Sequence, residues 1–133
     1  MDGFGNTPSW APKVLGILRI VVAFLFIQHG TLKLFGVPAI EGMGQVPLMS
    51  LFGFAGILEF VGGALLLLGL FTRPVAFVLS GEMAAAYFIG HVSQGFLPIA
   101  NHGELAVTWC ILFLYFFAAG PGAFSVDAAR RKA

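Results

Sequence analysis

The sequence predicts an all-α membrane protein, a bundle of four transmembrane helices forming one domain over residues 1–133. Three observations lead there. Of 133 residues, 59% are apolar and 10% charged, and mean hydropathy is +0.95. A soluble domain carries ~25% charged residues, and 7 Lys and Arg with 6 Asp and Glu cannot cover a soluble surface of this size. A spanning helix needs ~20 residues, so four would use about 80 and leave about 53 for loops, whereas six would leave no loops. The long apolar runs also lack the period-two alternation of an eight-stranded barrel.

The first helix is expected at about 13–35. Its apolar stretch Val14–Ile27 is interrupted by Gly16 and Arg19, then followed by Gln28, His29 and Lys33, and Gly36 and Pro38 end it. Gly36-Val37-Pro38-Ala39 resembles a small-residue cleavage site. An arginine inside the apolar region argues against a signal peptide. The second helix is expected at about 48–70, where Glu59 is the one ionisable residue between Leu51 and Leu70. The third, about 74–93, starts at Pro74, whose missing N–H is harmless in a first turn, and contains Glu82. The fourth, about 101–119, stops at Gly120-Pro121-Gly122, and a polar tail follows.

Charge and cysteine content narrow the function classes. A net charge of +1 gives no basic surface for nucleic acid. The single cysteine, Cys110, excludes an internal disulfide or a CxxC pair. Lys13, Arg73, Arg130, Arg131 and Lys132 gather at one end of the helices and Lys33 at the other. The bias places both termini in the cytoplasm. Paired broken spans, the usual mark of a transporter, are absent from the sequence.

Charges at membrane depth are costly and turn inward to find partners. Helical projection puts Arg19, Ala23, Phe26, Gly30 and Lys33 on one face, with His29 beside Lys33 and Ile17, Val21 and Phe24 opposite. The second helix groups Phe52, Ala55, Gly56, Glu59, Gly63 and Leu66; the third spaces Ala76, Ser80 and Ala84 beside Glu82; the fourth lines up Glu104, Thr108, Ile111 and Tyr115. Depths differ by only several Å at ~1.5 Å per residue, within the reach of an arginine. The expectation is that Arg19 pairs with Glu59, Glu82 or both, and that one of the two carboxylates carries a proton or finds a second donor. Such a set marks a proton path or polar ligand pocket, or simply fixes helix register.

A second group lies at the opposite ends: His29, His91, His102 and Glu104. Three histidines could hold a metal or haem iron, although their spacing is not that of a ligand set. Asn101-His102-Gly103-Glu104 reads as a capping box, and its helix N-terminus could equally receive an anionic or carbonyl head group. The candidates for ligand binding or proton handling are therefore Arg19, His29, Glu59, Glu82 and Glu104, with His29, His91 and His102 as the metal alternative.

The order of motifs is familiar. Leu18-Arg19-Ile20, Phe26, His29-Gly30 and Lys33-Leu34 lead to Glu59-Phe60-Val61-Gly62-Gly63 and Thr72-Arg73. Glu82-Met83, His91, Gly95-Phe96, Pro98, Asn101-His102-Gly103-Glu104 and Gly120-Pro121-Gly122 follow, then Ser125-Val126-Asp127. From about Leu15 to Asp127 the chain resembles the DoxX family of small four-helix membrane proteins. His102 departs from the family's usual Asn-Gly-Gly-Glu. The resemblance implies a bacterial cytoplasmic (inner) membrane protein. It points to a membrane subunit or accessory protein of a quinone-linked oxidoreductase system, with quinone as cofactor and no catalytic competence alone. The alternative it implies is a non-enzymatic membrane chaperone, assembly or anchoring protein. Either implies the lipid bilayer and a protein partner or a homo-oligomer as contacts.

Overall fold

Residues 7–133 are described by the structure, a computed structural model. Six α-helices follow in order: α1 Ala11–Phe35, α2 Leu51–Leu68, α3 Thr72–Gly90, α4 Pro98–Asn101, α5 Glu104–Ala119 and α6 Val126–Lys132. A 3-10 turn, Val92–Gln94, follows α3. No strand occurs among the described residues. Among the described residues three helices, α1, α2 and α3, are long and apolar enough to cross a membrane, and α5 is a shorter apolar helix of 16 residues.

Local signals set the boundaries. Pro12 sits in the first turn of α1, and Gly36 closes it in the left-handed conformation with its N–H on the Leu32 carbonyl. Ser50 caps α2, its hydroxyl accepting from the Gly53 N–H at 3.1 Å. Gly69 ends α2 at φ 67°, and a Cβ there would come within 2.9 Å of the Arg19 guanidinium carbon, so backbone conformation and close packing both require glycine.

The fourth expected helix differs most. Its start is split: α4 ends at Asn101, His102 turns left-handed at φ 59°, and α5 begins only at Glu104. Asn101 is therefore not an N-cap, and the capping-box expectation is corrected. Its fully buried side chain joins three segments instead. Its Oδ1 accepts from the Gly103 N–H at 2.8 Å, and its Nδ2 donates to the Tyr87 hydroxyl at 3.1 Å and the Gly95 carbonyl at 2.7 Å. The tail is not merely polar, since α6 forms with Ser125 as its N-cap.

α1, α2, α3 and α5 share one apolar core. Val22, Ala23 and Phe26 meet Leu66, Ala76, Leu79, Met83, Trp109, Phe113 and Phe116 there. α1 and α2 approach closely because glycines line their seam: a Cβ on Gly30 would stand 2.5 Å from the Phe60 nitrogen. α1 and α5 are held apart by rings, with Phe26 edge-on to Trp109 at 5.1 Å and to Phe113 at 4.8 Å. Ser80 of α3 donates to the Cys110 carbonyl of α5 at 2.8 Å. Outside this core, Ile17, Val21, Phe24, Phe54, Val61, Phe77, Val78, Phe88, Ile111 and Leu114 are exposed. An apolar belt of this kind suits hydrocarbon and would be a liability in water.

Candidate functional site

The polar interior divides into two ends. In the half toward the 36–47 loop, α1 and α2 bring Lys33 and Glu59 together. Lys33 Nζ donates to Glu59 Oε2 at 2.6 Å, and Glu59 is 4% exposed. Gly56, one turn before Glu59, makes room for the lysine stem, because a Cβ there would come within 2.9 Å of Lys33 Cβ. Glu82 of α3 lies within electrostatic reach of both residues. Both of its carboxyl oxygens are buried and have no hydrogen-bond partner among the described residues. His29, one turn before Lys33, stands edge-on to Trp109 with ring centroids 4.7 Å apart.

The other end is organised by Arg19. Its side chain is fully buried but touches neither carboxylate expected for it. Nε donates to the Leu66 carbonyl at 2.8 Å, Nη2 to Phe124 at 2.7 Å, and Nη1 to Pro121 and, at 3.3 Å, to Ala123. The expected Arg19 pairing with Glu59 or Glu82 is thereby corrected. The reason is electrostatic and geometric. Leu66 lies in the last turn of α2 and Pro121–Phe124 follow α5, so the guanidinium faces the carbonyl-rich, partially negative ends of helices. Five N–H donors in a fork match several carbonyls better than one distant carboxylate.

Asp127 knits the same end. Its Oδ1 and Oδ2 accept from the Phe71 and Thr72 N–H groups at 2.9 Å each, and its own N–H donates to the Gly69 carbonyl. Desolvation alone would raise its pKa. The Thr72 and Phe71 hydrogen bonds and the nearby Arg130 outweigh it and hold the carboxyl below its ordinary value.

The remaining candidates lie apart from the Lys33–Glu59–Glu82 group. Glu104 is exposed, and its expected stripe with Thr108, Ile111 and Tyr115 faces outward. The buried face of α5 is Ala106, Trp109, Phe113 and Phe116. Phe52, placed on the inner stripe of α2, is also exposed, while Gly53 and Gly62 are buried in that helix. His91 Nδ1 lies 3.0 Å from the Asn101 carbonyl, His102 is exposed at the end of α4, and His29 packs on Trp109. Among the described residues no three His, Cys, Asp or Glu side chains come together as a metal site, so the three-histidine cluster does not form.

Sequence reasoning missed Lys33 as the partner of Glu59. A signal was present: projection put Lys33 on the inward face of the first helix, where a lysine needs a carboxylate.

Comparison with known proteins adds a family. The sequence model described as DoxX matches residues 14–92. A Haemophilus influenzae protein described as uncharacterized is 50% identical over 129 residues, covering 92% of this chain and 94% of its own. A Mycobacterium tuberculosis protein described as an uncharacterized membrane protein is 27% identical over 148 residues, covering 94% of this chain and 90% of its own. No solved structure matches.

Proposed function

The chain belongs to the DoxX family, and from that premise we propose that it serves as a membrane subunit or accessory protein of a quinone-linked oxidoreductase system. The carrying observation is the buried Lys33–Glu59 pair with the partnerless Glu82 carboxyl beside it. One cation facing two carboxyl groups leaves one negative charge over, and such a charge in an apolar bundle is costly. A proton on Glu82 removes that cost.

This donor set fits a quinone head group. A bound quinone supplies two-electron chemistry coupled to the uptake of two protons. Glu82, protonated, donates to a carbonyl oxygen. Once Glu82 has given up its proton, the Glu59 carboxylate takes up one from the side of the 36–47 loop and passes it to Glu82. Lys33 balances the Glu59 carboxylate before and after the transfer. His29, held on Trp109, is a further titratable side chain one turn before Lys33 on α1. The apolar surface around the bundle suits an isoprenoid tail.

The same reading carries a topology. The chain is a single domain of four spans in a bacterial cytoplasmic membrane, with α5 as the fourth and both termini cytoplasmic. The ends bearing Lys13, Arg73, Arg130, Arg131 and Lys132 against Lys33 support that orientation.

The test is extraction and mass spectrometry of small molecules bound to protein purified in mild detergent. Quinone-dependent oxidoreductase activity of membranes carrying Glu59→Gln or Glu82→Gln is measured alongside. A bound quinone and at least a tenfold loss of activity are expected, in line with loss of a positioned proton donor. An empty protein with unchanged membrane activity would overturn the reading. If that protein also brought down a stable partner, the chaperone or assembly role would replace it.

A further inference from the structure

At the start of α3 an open cleft of about 390 Å³ lies between the α2–α3 turn, Pro121 and α6. Three guanidinium groups border it, those of Arg73, Arg130 and Arg131, brought from two segments far apart in sequence. Among the described residues the one carboxylate in its walls is Asp127, and both of that group's oxygens are already engaged by backbone N–H groups. The cleft therefore keeps an excess of positive charge. Arg130 is stationed over the Phe71 ring at 5.5 Å. Arg73 is anchored by its Nη1 on the Phe117 and Ala118 carbonyls at 3.0 and 2.6 Å. The Thr72 hydroxyl, beside Asp127 in a fully buried residue, has no partner at hydrogen-bond distance among the described residues.

Position gives the cleft a chemical meaning. It sits at the first turn of a membrane-length helix, which is headgroup level. One turn farther along α3 from Arg73, Phe77 packs against Phe117 with ring centroids 5.2 Å apart, and both rings are exposed. Guanidinium groups at the surface with an apolar aromatic step beneath them match a molecule with an anionic head and a hydrocarbon tail. Basic pockets at the cytoplasmic ends of spans take phospholipid head groups by this arrangement.

We propose that this cleft is a binding site for the phosphodiester head group of an anionic phospholipid. Arg73, Arg130 and Arg131 hold the phosphate, and the Phe77–Phe117 pair supports the first part of an acyl chain. Occupancy would fasten α6 and the 120–125 segment to the membrane surface. This site is independent of the Lys33–Glu59–Glu82 group.

The test uses the full chain in mild detergent, titrated with phosphatidylglycerol, phosphatidylcholine or inorganic phosphate, with binding read by native mass spectrometry and by thermal unfolding. Phosphatidylglycerol is expected to bind and to raise the unfolding temperature, and the other two are not. Arg130→Gln/Arg131→Gln removes two exposed side chains that make no hydrogen bonds among the described residues, so the protein should still fold. It should weaken phosphatidylglycerol roughly thirtyfold, from about 1 kcal/mol per surface cation. Lys13→Gln, a cation outside the cleft, should weaken it no more than about fivefold. Equal responses to the two lipids would overturn the proposal. So would equal losses in the two variants, which would indicate diffuse charge attraction. A matching response to inorganic phosphate would overturn the lipid assignment and leave a free-phosphate site.

Discussion

Arg19 and Lys33 sit on the same inward face of α1, fourteen positions apart, and solve the same problem differently. Arg19 spreads its charge over four carbonyls, which accept without becoming ions. Lys33 offers a compact charge to one carboxylate. The sequence made the inward direction of both legible, because a charge at that depth has nowhere else to go. It did not make the partners legible. Carbonyls freed at a helix end and in the turn after α5 depend on how the chain ends meet, and residue identity does not encode that. The buried pair leads to a prediction at this scale. Lys33→Met leaves Glu59 without a counter-charge and should cost about 3–5 kcal/mol, as for one broken partner of a buried pair. Lys33→Met/Glu59→Gln should recover most of that loss, because neither charge remains. Reversible unfolding in mixed micelles checks it, and a double variant as unstable as the single one would refute the coupling.

Helices meet here through two contrasting surfaces. Glycines bring α1 against α2, while Phe26, Trp109 and Phe113 set the distance between α1 and α5. The first surface was readable as a small-residue stripe on the second helix. The buried face of α5 was not, because an almost uniformly apolar helix carries little periodic signal and its few polar residues, Glu104 and Thr108, drew the stripe to the exposed side. α6 was missed for a related reason: seven residues carry too little pattern to announce a helix, and this one is fixed by Asp127 and its contacts with the α2–α3 turn. That contact should be acid-sensitive. The folded Asp127 carboxyl titrates below its ordinary value. Its stabilisation is therefore complete above the unfolded pKa and disappears as pH falls through the lower folded one. Hydrogen exchange across 126–132 should accelerate over that acid interval relative to the core of α3. In Asp127→Asn, exchange should be faster at neutral pH with the acid step removed. An unchanged acid step in the variant would show that another group controls it.

At the scale of the molecule the number of crossings turns on α5. α5 has 16 residues and so a length of ~24 Å, below the ~30 Å of a typical hydrocarbon core. Length alone would leave it short of a span. Its contacts argue the other way. Near its start, the Asn101 side chain meets Tyr87 and the Asn101 carbonyl meets His91, at the end of α3. At its finish, the Phe117 and Ala118 carbonyls receive Arg73, at the beginning of α3. α5 thus runs antiparallel beside nearly the whole of α3, which supports the proposed fourth span. Local thinning of the bilayer, at fractions of a kcal/mol per Å, accommodates the shortfall. Four crossings put residue 93 outside and residue 129 inside, whereas three put both outside. With Cys110→Ala as background, Ser93→Cys should react with an impermeant maleimide in intact spheroplasts. Ala129→Cys should react only after lysis. Labelling of Ala129→Cys in intact spheroplasts would reduce the protein to three spans, and it would move Arg130 and Arg131 to the face where the positive-inside bias does not place them.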